Sequence, residues 1–175
     1  MANFQAVFAV GDSLVTFLQD GYHPAAVGFP CTFKLFSSSD MSSQETATGD
    51  AVVSLYLHRI TNDETARVAP APGEHPTLSL DLHYLVSCWG TSAQAEQTIL
   101  TWTMQWLAKN PILDASVLSL SSANAGWAVG ETIEITRSDL SLQDILRIWD
   151  SMGPKYRLTL SYRARVVRVE LPDAP

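Results

Sequence analysis

The chain has 175 residues, 46% of them hydrophobic and 17% charged, and its 18 acidic and 11 basic side chains leave a net charge of -7 at pH 7. A chain of this length buries roughly 70% of the surface that its unfolded form exposes, so we expect one domain over residues 1–175 and exclude global disorder. Because phosphate neutralisation needs clustered Lys and Arg, the acidic balance argues against a nucleic-acid partner.

We expect neither a secretory signal peptide nor a membrane-spanning segment in this chain. The first basic residue is Lys34, which is too late for the positive n-region of a secretory signal. The long uncharged stretch at residues 115–130 is rich in Ser, Asn and Gly, and a bilayer span needs about 20 mostly apolar residues. Cys31 and Cys88 form no CxxC motif, so we interpret them as core residues of a protein that assembles in a reducing cytoplasm.

Charge is distributed unevenly along the chain. Residues 1–136 carry 4 basic and 13 acidic side chains, whereas residues 137–175 carry 7 basic and 5 acidic ones. Complementary potentials of this kind can guide like subunits into register, which favours a part that stacks on others. An equally open interpretation is that the Arg side chains solvate one face of a sheet.

Hydrophobic periodicity predicts the elements of the N-terminal half. It indicates a helix that ends near Gly21, where Pro24 prevents continuation. The apolar stripe of this helix consists of Phe4, Val7, Phe8, Leu14, Val15 and Leu18. Alternation predicts strands at residues 31–36 and 51–60, joined by an exposed Ser-rich connection at residues 37–50.

The middle of the chain contains the clearest strand and the longest helix. A Pro-rich polar loop at residues 62–76 precedes a strict period-two pattern, which predicts a central strand at residues 78–89. Thr91 or Ser92 is expected to cap a helix that runs to about Lys109.

The C-terminal part alternates strands with one short helix. Alternation predicts strands at residues 117–120, 131–136 and 156–169. A capping box begins a helix at Ser141 and Gly153 ends it, and the last strand should either bulge or end past residues 166–167. Together the elements predict an α/β (α+β) single domain, in which a mixed, mostly antiparallel β-sheet is flanked by two or three helices.

A short motif raises the possibility of hydrolase chemistry. Gly-Asp-Ser-Leu at residues 11–14 has the letters of the nucleophile block of the GDSL hydrolase family. The nearest Asn-Asp pair, residues 62–63, lacks the Gly that the family places before it. The Asp-x-x-His motif stands at residues 20–23 instead of near the C-terminus. Ser13 also falls inside the predicted helix, where no nucleophile elbow forms, so an esterase that uses Ser13 is the weaker alternative.

No cofactor and no metal are predicted. His58 and His83 lie on predicted strands and Asp81 shares a face with His83, but two His and one carboxylate have no metal-site spacing here. The glycines at residues 126–130 lack the Lys and the spacing of a P-loop. We predict no catalytic residue, and the helical Trp residues are expected in the core or at a subunit interface.

Four stretches, in order, resemble the cap or tail-terminator family of phage-tail-like contractile injection systems. The first is Pro-Thr-Leu-Ser-Leu-Asp-Leu-His-Tyr-Leu-Val-Ser-Cys-Trp-Gly at residues 76–90. The others are Ala-Glu-Gln at 95–97 with Lys-Asn-Pro-Ile-Leu at 109–113, residues 140–149, and residues 156–168. The chain departs from the family at residues 37–49 and 62–76, so contacts made by those loops do not carry over.

This resemblance implies a structural, non-enzymatic part that is assembled in the cytoplasm within a contractile particle. Members of the family form a homohexameric ring that ends the inner tube and the sheath at the end distal to the baseplate. Self, tube and sheath proteins are therefore the implied partners, and the family offers no catalytic residue to carry over.

The basic C-terminal strand offers candidate interface residues. We predict that Arg157, Arg163, Arg165 and Arg168 contact a neighbouring subunit, the sheath or the tube, because they cluster in an otherwise acidic chain. The competing interpretation is an exposed strand whose Arg side chains prevent aggregation. A free-standing binding adaptor is the remaining alternative function.

Overall fold

The structure is a computed structural model that describes residues 2–43, 49–63, 77–121, 125, 127, 130–153 and 155–170. Its helices are α1 (Ala6–Gly21), α2 (Pro24–Val27), α3 (Ser38–Ser43), α4 (Ala93–Lys109), α5 (Ala115–Ser121) and α6 (Leu142–Met152). Its strands are β1 (Cys31–Phe36), β2 (Ala51–Asn62), β3 (Thr77–Trp89), β4 (Ile112–Asp114), β5 (Thr132–Arg137) and β6 (Thr159–Glu170).

The six strands form one sheet in the order β1-β2-β3-β6-β5-β4. β1 runs parallel to β2, and every other neighbouring pair is antiparallel. The predicted mixed, mostly antiparallel sheet is thus confirmed, with β3 at its centre. β3 pairs with 12-residue strands on both sides, which explains why its period-two pattern is the clearest in the sequence.

The main core lies between one face of the sheet and helices α1 and α4. Even-numbered residues of β3, including Tyr84 and Val86, point into it, and so does the buried Cys88. The helix that was predicted to end near Lys109 does so, and the Ser92 hydroxyl caps its start by accepting a hydrogen bond from the Ala95 N–H at 3.2 Å.

A second core covers one end of the opposite face, under α3 and α6. It consists of Phe36, Met41, Trp89, Ile145 and Trp149. Buried hydroxyls satisfy both indoles: the Trp89 N–H donates to the Ser54 hydroxyl at 2.9 Å, and the Trp149 N–H donates to the Thr159 hydroxyl at 3.1 Å. The second bond ties α6 to β6, and both bonds matter because an indole N–H buried without a partner is costly.

The N-terminal helix ends at Gly21 as predicted, and Val7, Leu14, Val15 and Leu18 of its predicted stripe lie in or against the core. Phe4 and Phe8 are 75% and 62% exposed, so their place in the predicted core stripe is wrong. The buried side consists largely of small residues: Ala6, Ala9, Val10, Gly11, Ser13, Leu14 and Leu18. Small residues let the helix axis approach the sheet closely, and a count of large apolar residues does not detect them.

Two segments of the chain are helical where another structure was predicted. Residues 38–43 of the supposed connection form α3, whose Met41 is fully buried. A capping exchange begins this helix, because the Asp40 carboxylate accepts from the Ser37 N–H and hydroxyl at 2.8 and 2.6 Å.

The predicted strand at residues 117–120 is wrong, since these residues belong to α5. The Asp114 carboxylate accepts hydrogen bonds from the N–H groups of Ser116 and Val117 at 3.0 and 3.3 Å. This cap satisfies donors of the first helical turn and outweighs the preference of Val117 for a strand. The strand that pairs with β5 is instead β4, which directly precedes α5 in the chain.

Most other predicted boundaries are close to the observed ones. Ser141 caps α6 by accepting from the Asp144 N–H at 3.1 Å, and Gly153 ends it with a φ of 90°. Ile145 and Trp149 form its buried face, whereas Leu142 and Leu146 are 63% and 40% exposed. The Pro-rich loop falls mainly on residues 64–76, outside the described residues. None of the helices in the described ranges combines the length and apolar character that crossing a membrane requires.

Close packing at Gly21 yields a stability prediction. A Cβ added there would clash with Cζ2 of Trp106, so Gly21→Ala should lower the free energy of unfolding by about 1–3 kcal/mol. Urea unfolding at pH 7 measures the change. Gly49→Ala is the control, because its Cβ would meet nothing within 4 Å. Equal unfolding midpoints for the two variants would contradict the packing at Gly21.

Candidate functional site

The part of the second sheet face beyond α3 and α6 carries a ladder of charged side chains across four strands. Its cations are Arg59, Arg163, Arg165 and Arg168, and its anions are Asp81 and Glu134. We call this set the charged face. In a chain with a net charge of -7, a sheet face with more cations than anions is a candidate contact for an acidic partner.

The centre of the charged face is an ion pair between strands. Arg163 Nη1 lies 3.5 Å from Asp81 Oδ2, and Asp81 is only 6% exposed. Arg163 faces His83 of β3 on one side and Thr136 of β5 on the other. Its Nε has no hydrogen-bond partner among the described residues. Arg163 therefore has a structural role in neutralising Asp81.

Arg165 and Arg168 extend the charged face along β6. Arg165 Nη1 lies 3.9 Å from Glu134 Oε2, with both side chains partly open to solvent. Arg168 is exposed and lies opposite Ser79. Residues an odd number apart point to opposite faces of a regular strand. These two share a face because the β3–β6 register shifts between Leu80 and Leu82, which leaves one extra residue at 165–166. The predicted bulge is thus present, about one residue earlier than expected.

Arg157 lies apart from the other three Arg residues. Its Nη1 donates to Glu96 Oε1 at 3.1 Å, and its guanidinium stacks over the Trp89 ring at 5.5 Å. The side chain is 22% exposed, so its principal contacts tie the start of β6 to α4. The sequence pattern groups Arg157 with the others, and the structure does not.

Two histidines lie beside the charged face, at adjacent positions of β2 and β3. His58 occupies a bulge in β2, and its ring centroid lies 6.1 Å from that of His83. Thr61 Oγ1 and His83 Nε2 are hydrogen-bonded at 2.9 Å. No group of three potential ligands converges anywhere in the described ranges. Burial, followed by the nearby His83 and Arg59, lowers the pKa of His58 to about 4.

Ser13 does not have the geometry of a nucleophile. It is fully buried within α1, and its hydroxyl donates to the Leu118 carbonyl oxygen at 3.3 Å. A nucleophilic Ser needs an exposed hydroxyl next to a base, and this hydroxyl instead connects α1 to α5. The Gly-Asp-Ser-Leu stretch is therefore part of the packing of α1.

The fold resembles two solved structures over nearly all of the chain. One is the cryo-EM structure of the PVC sheath/tube terminator, from an extracellular contractile injection system in its extended state. It has a TM-score of 0.61 and 20% identity, and the match covers 95% of this chain and 57% of that one. The other is the anti-feeding prophage cap, a tube-terminating cap, with a TM-score of 0.64, 18% identity, and coverage of 94% and 55%.

The domain thus has the fold of contractile-tail terminators, and it spans a little over half the length of the two terminators that it matches. The sequence profile described as Pvc16 N-terminal domain matches residues 9–175, and the chain belongs to that family. Among curated proteins, the comparison found no significant match. The resemblance to the cap or tail-terminator family is confirmed.

The lowered pKa of His58 predicts a dependence of stability on pH. Unfolding returns the pKa to about 6.5, so between pH 6.5 and 4 the unfolded chain binds more protons than the folded chain. The free energy of unfolding therefore decreases as the pH is lowered through this range. We expect His58→Gln to remove about 1–2 kcal/mol of this loss, a figure discounted for the partial exposure of the ring. Urea unfolding at pH 7 and 4.5 measures it. The exposed His23→Gln is the control, and an unchanged pH dependence in His58→Gln would contradict the assignment.

Proposed function

We propose that this chain is a structural terminator of a contractile injection system, which caps the inner tube and the sheath at the end distal to the baseplate. The observation that carries the proposal is the agreement of fold with two terminators over 94–95% of the chain, together with family membership over residues 9–175. Because the chain spans little more than half of each terminator, its partners are proposed and not transferred.

The proposed role is non-enzymatic. Both structural neighbours are described as terminators. The hydrolase-like motif at residues 11–14 is not available for catalysis, because Ser13 is buried and hydrogen-bonded to Leu118. What the fold does supply is a stiff sheet, buried on both faces over one half and charged on one face over the other. Rigidity and charged surfaces suit a part that transmits force and docks in a defined orientation.

The proposed assembly is a homohexameric ring that forms in the cytoplasm and becomes part of the particle. A ring with one kind of subunit needs two different contact surfaces on each subunit, because its contacts are head to tail. The tube and sheath then require a further surface. We assign the charged face to that contact, since it is open over several strands and opposite in sign to the chain as a whole.

Within the charged face, Arg168 is the residue best placed to reach a partner. Arg163 and Arg165 are engaged with Asp81 and Glu134, whereas Arg168 is exposed at the far end of β6. Arg157 is assigned a structural role through its contacts with Glu96 and Trp89. The partner surface is therefore expected to present a carboxylate near Arg168.

A reconstitution experiment tests the function. The chain is mixed with the tube and sheath proteins of a contractile injection system, and electron microscopy with co-sedimentation scores the occupancy of tube ends. The wild-type chain should occupy one end only. We expect Arg168→Glu to weaken this binding roughly tenfold and to reduce its salt dependence, because a cation at the contact is replaced by an anion.

Lys109→Glu is the matched control for charge. It makes the same change of two units on an exposed residue at the end of α4, away from the charged face. Absence of wild-type binding to tube ends would refute the terminator function. Equal binding by Arg168→Glu and Lys109→Glu would refute the assignment of the charged face and leave the function standing.

A further inference from the structure

A pocket with an apolar lining lies where the end of α4 meets β5. Its volume is about 180 Å³, which is less than the roughly 300–1,000 Å³ of sites for cofactors and drug-sized molecules. A space of this size suits one aliphatic side chain such as that of Leu or Ile. The apolar lining consists of Met104, Leu107, Ala108, Pro111, Ile135 and Tyr162.

The floor of this pocket is buried and its rim is open. Leu107, Ile135 and Tyr162 are 3%, 4% and 5% exposed, whereas Ala108 and Pro111 are exposed. Ala108 contributes only a methyl group, so the last turns of α4 leave the space unfilled. An aliphatic side chain that enters from outside would therefore be buried without displacing a core residue.

A cation lines the pocket together with these apolar groups. Arg137 lies directly opposite Tyr162 in the pairing of β5 with β6, so both side chains are on the core side of the sheet. Ile133 and Ile135 precede Arg137 on that side of β5, and both are in the main core. Arg137 thus ends a row of apolar residues with a positive charge. We refer to the site as the Arg137 pocket.

The charge of Arg137 has no counter-ion close by in the described part of the chain. The lining contains no carboxylate there, and none of the ion pairs between described residues involves Arg137. Asp139, the next acidic residue along the chain, is exposed and does not belong to the lining. Burial raises the pKa of Tyr162 and the nearby Arg137 opposes the rise, so the phenol is neutral at pH 7. A ligand with a negative charge next to an aliphatic group therefore complements this site.

The edge of β5 is open beside the Arg137 pocket. β4 pairs with residues 132–134, and the Ile135 N–H donates to the Pro111 carbonyl oxygen at 2.7 Å. Pro111 has no N–H with which to return this bond, and β4 places no residue opposite Arg137. The ladder of hydrogen bonds thus stops at the pocket, where an extended segment could continue it for one or two residues.

We infer that the Arg137 pocket binds the C-terminal residue of a partner polypeptide whose last side chain is aliphatic. The side chain enters the pocket, the terminal carboxylate pairs with the Arg137 guanidinium, and the backbone lies along the open edge of β5. A chain end fits better than an internal segment, because one residue supplies both the aliphatic group and the carboxylate, and because the open edge is short.

This binding site is separate from the charged face. Tyr162 and Ile135 point into the main core, whereas Arg163 and Thr136 point to the other side of the sheet. The two sites can therefore be occupied at the same time. The inference goes beyond the proposed terminator function and does not depend on it.

Short peptides test the pocket on the full chain. The probes are Gly-Ser-Gly-Ser-Leu with a free C-terminal carboxylate, the same peptide as its C-terminal amide, and 4-methylpentanoate, an aliphatic acid without a peptide backbone. Saturation-transfer NMR should show contact with the Leu methyl groups of the free acid and a Kd on the order of 1 mM. The amide should bind about tenfold more weakly, because it lacks the charge that pairs with Arg137. 4-Methylpentanoate should also bind more weakly than the free acid, because it cannot extend the ladder of β5.

Two variants locate the binding. Ala108→Leu fills the pocket and Arg137→Gln removes its cation, and each should weaken binding of the free acid about tenfold. Both positions are exposed, so the fold is retained. Ala93→Leu makes the first change at the other end of α4, and Arg147→Gln makes the second on α6, where the Arg side chain is 70% exposed. These matched controls should bind as the wild-type chain does.

Several results would overturn the inference. They are the absence of saturation transfer to the free acid, equal affinity for acid and amide, and equal affinity in the two pocket variants and their controls. Binding of 4-methylpentanoate as tight as that of the peptide would overturn the assignment to a polypeptide, since the backbone would then contribute nothing. The terminator function is judged separately, by whether the wild-type chain occupies tube ends.

Discussion

The burial of β3 on both faces is the constraint on which the rest of the structure depends. Its even-numbered side chains, from Leu82 to Cys88, enter the core beneath α1 and α4, while Leu85, Ser87 and Trp89 are buried on the other face. A strand in this position needs long partners on both sides and a cover on each face. β2 and β6 provide the partners, and α6 covers the end of β3 at which Trp89 must be enclosed.

The charged face follows from the limits of that cover. α3 and α6 enclose only the end of the second face near Trp89 and Thr159, so the other half can hold charges if they neutralise one another. Asp81 is almost fully buried there and is matched by Arg163 across the strand boundary. The two bulges, at His58 and at residues 165–166, adjust which side chains reach this face. A structural requirement has thus produced the surface to which we assign partner binding.

Much of the architecture could be predicted from the sequence, because long elements carry periodic signals. The strand at residues 78–89, the Ser92 cap and the helix that begins after Ser141 all follow local rules that survive folding. The wrong predictions concern the buried face of α1 and the helices α3 and α5, and they have two causes. The small residues of α1 face the sheet while Phe4 and Phe8 face outward, and short side-chain caps at Ser37 and Asp114 begin α3 and α5. The capping box at Ser37 was visible in the sequence and would have identified α3.

The sequence by itself determined the class of the domain, its family resemblance and the positive charge of its last strand, since these depend on composition and on local order along the chain. Only the tertiary structure decided which charges act together. Arg157 is separated from Arg163 by a few residues, yet packing joins the first to Trp89 and Glu96 and the second to Asp81. The Arg137 pocket likewise depends on the end of α4 meeting β5, a fact of packing that no local pattern contains. Contacts between distant residues are set by the burial of the whole sheet, and their chemistry becomes visible only once that burial is known.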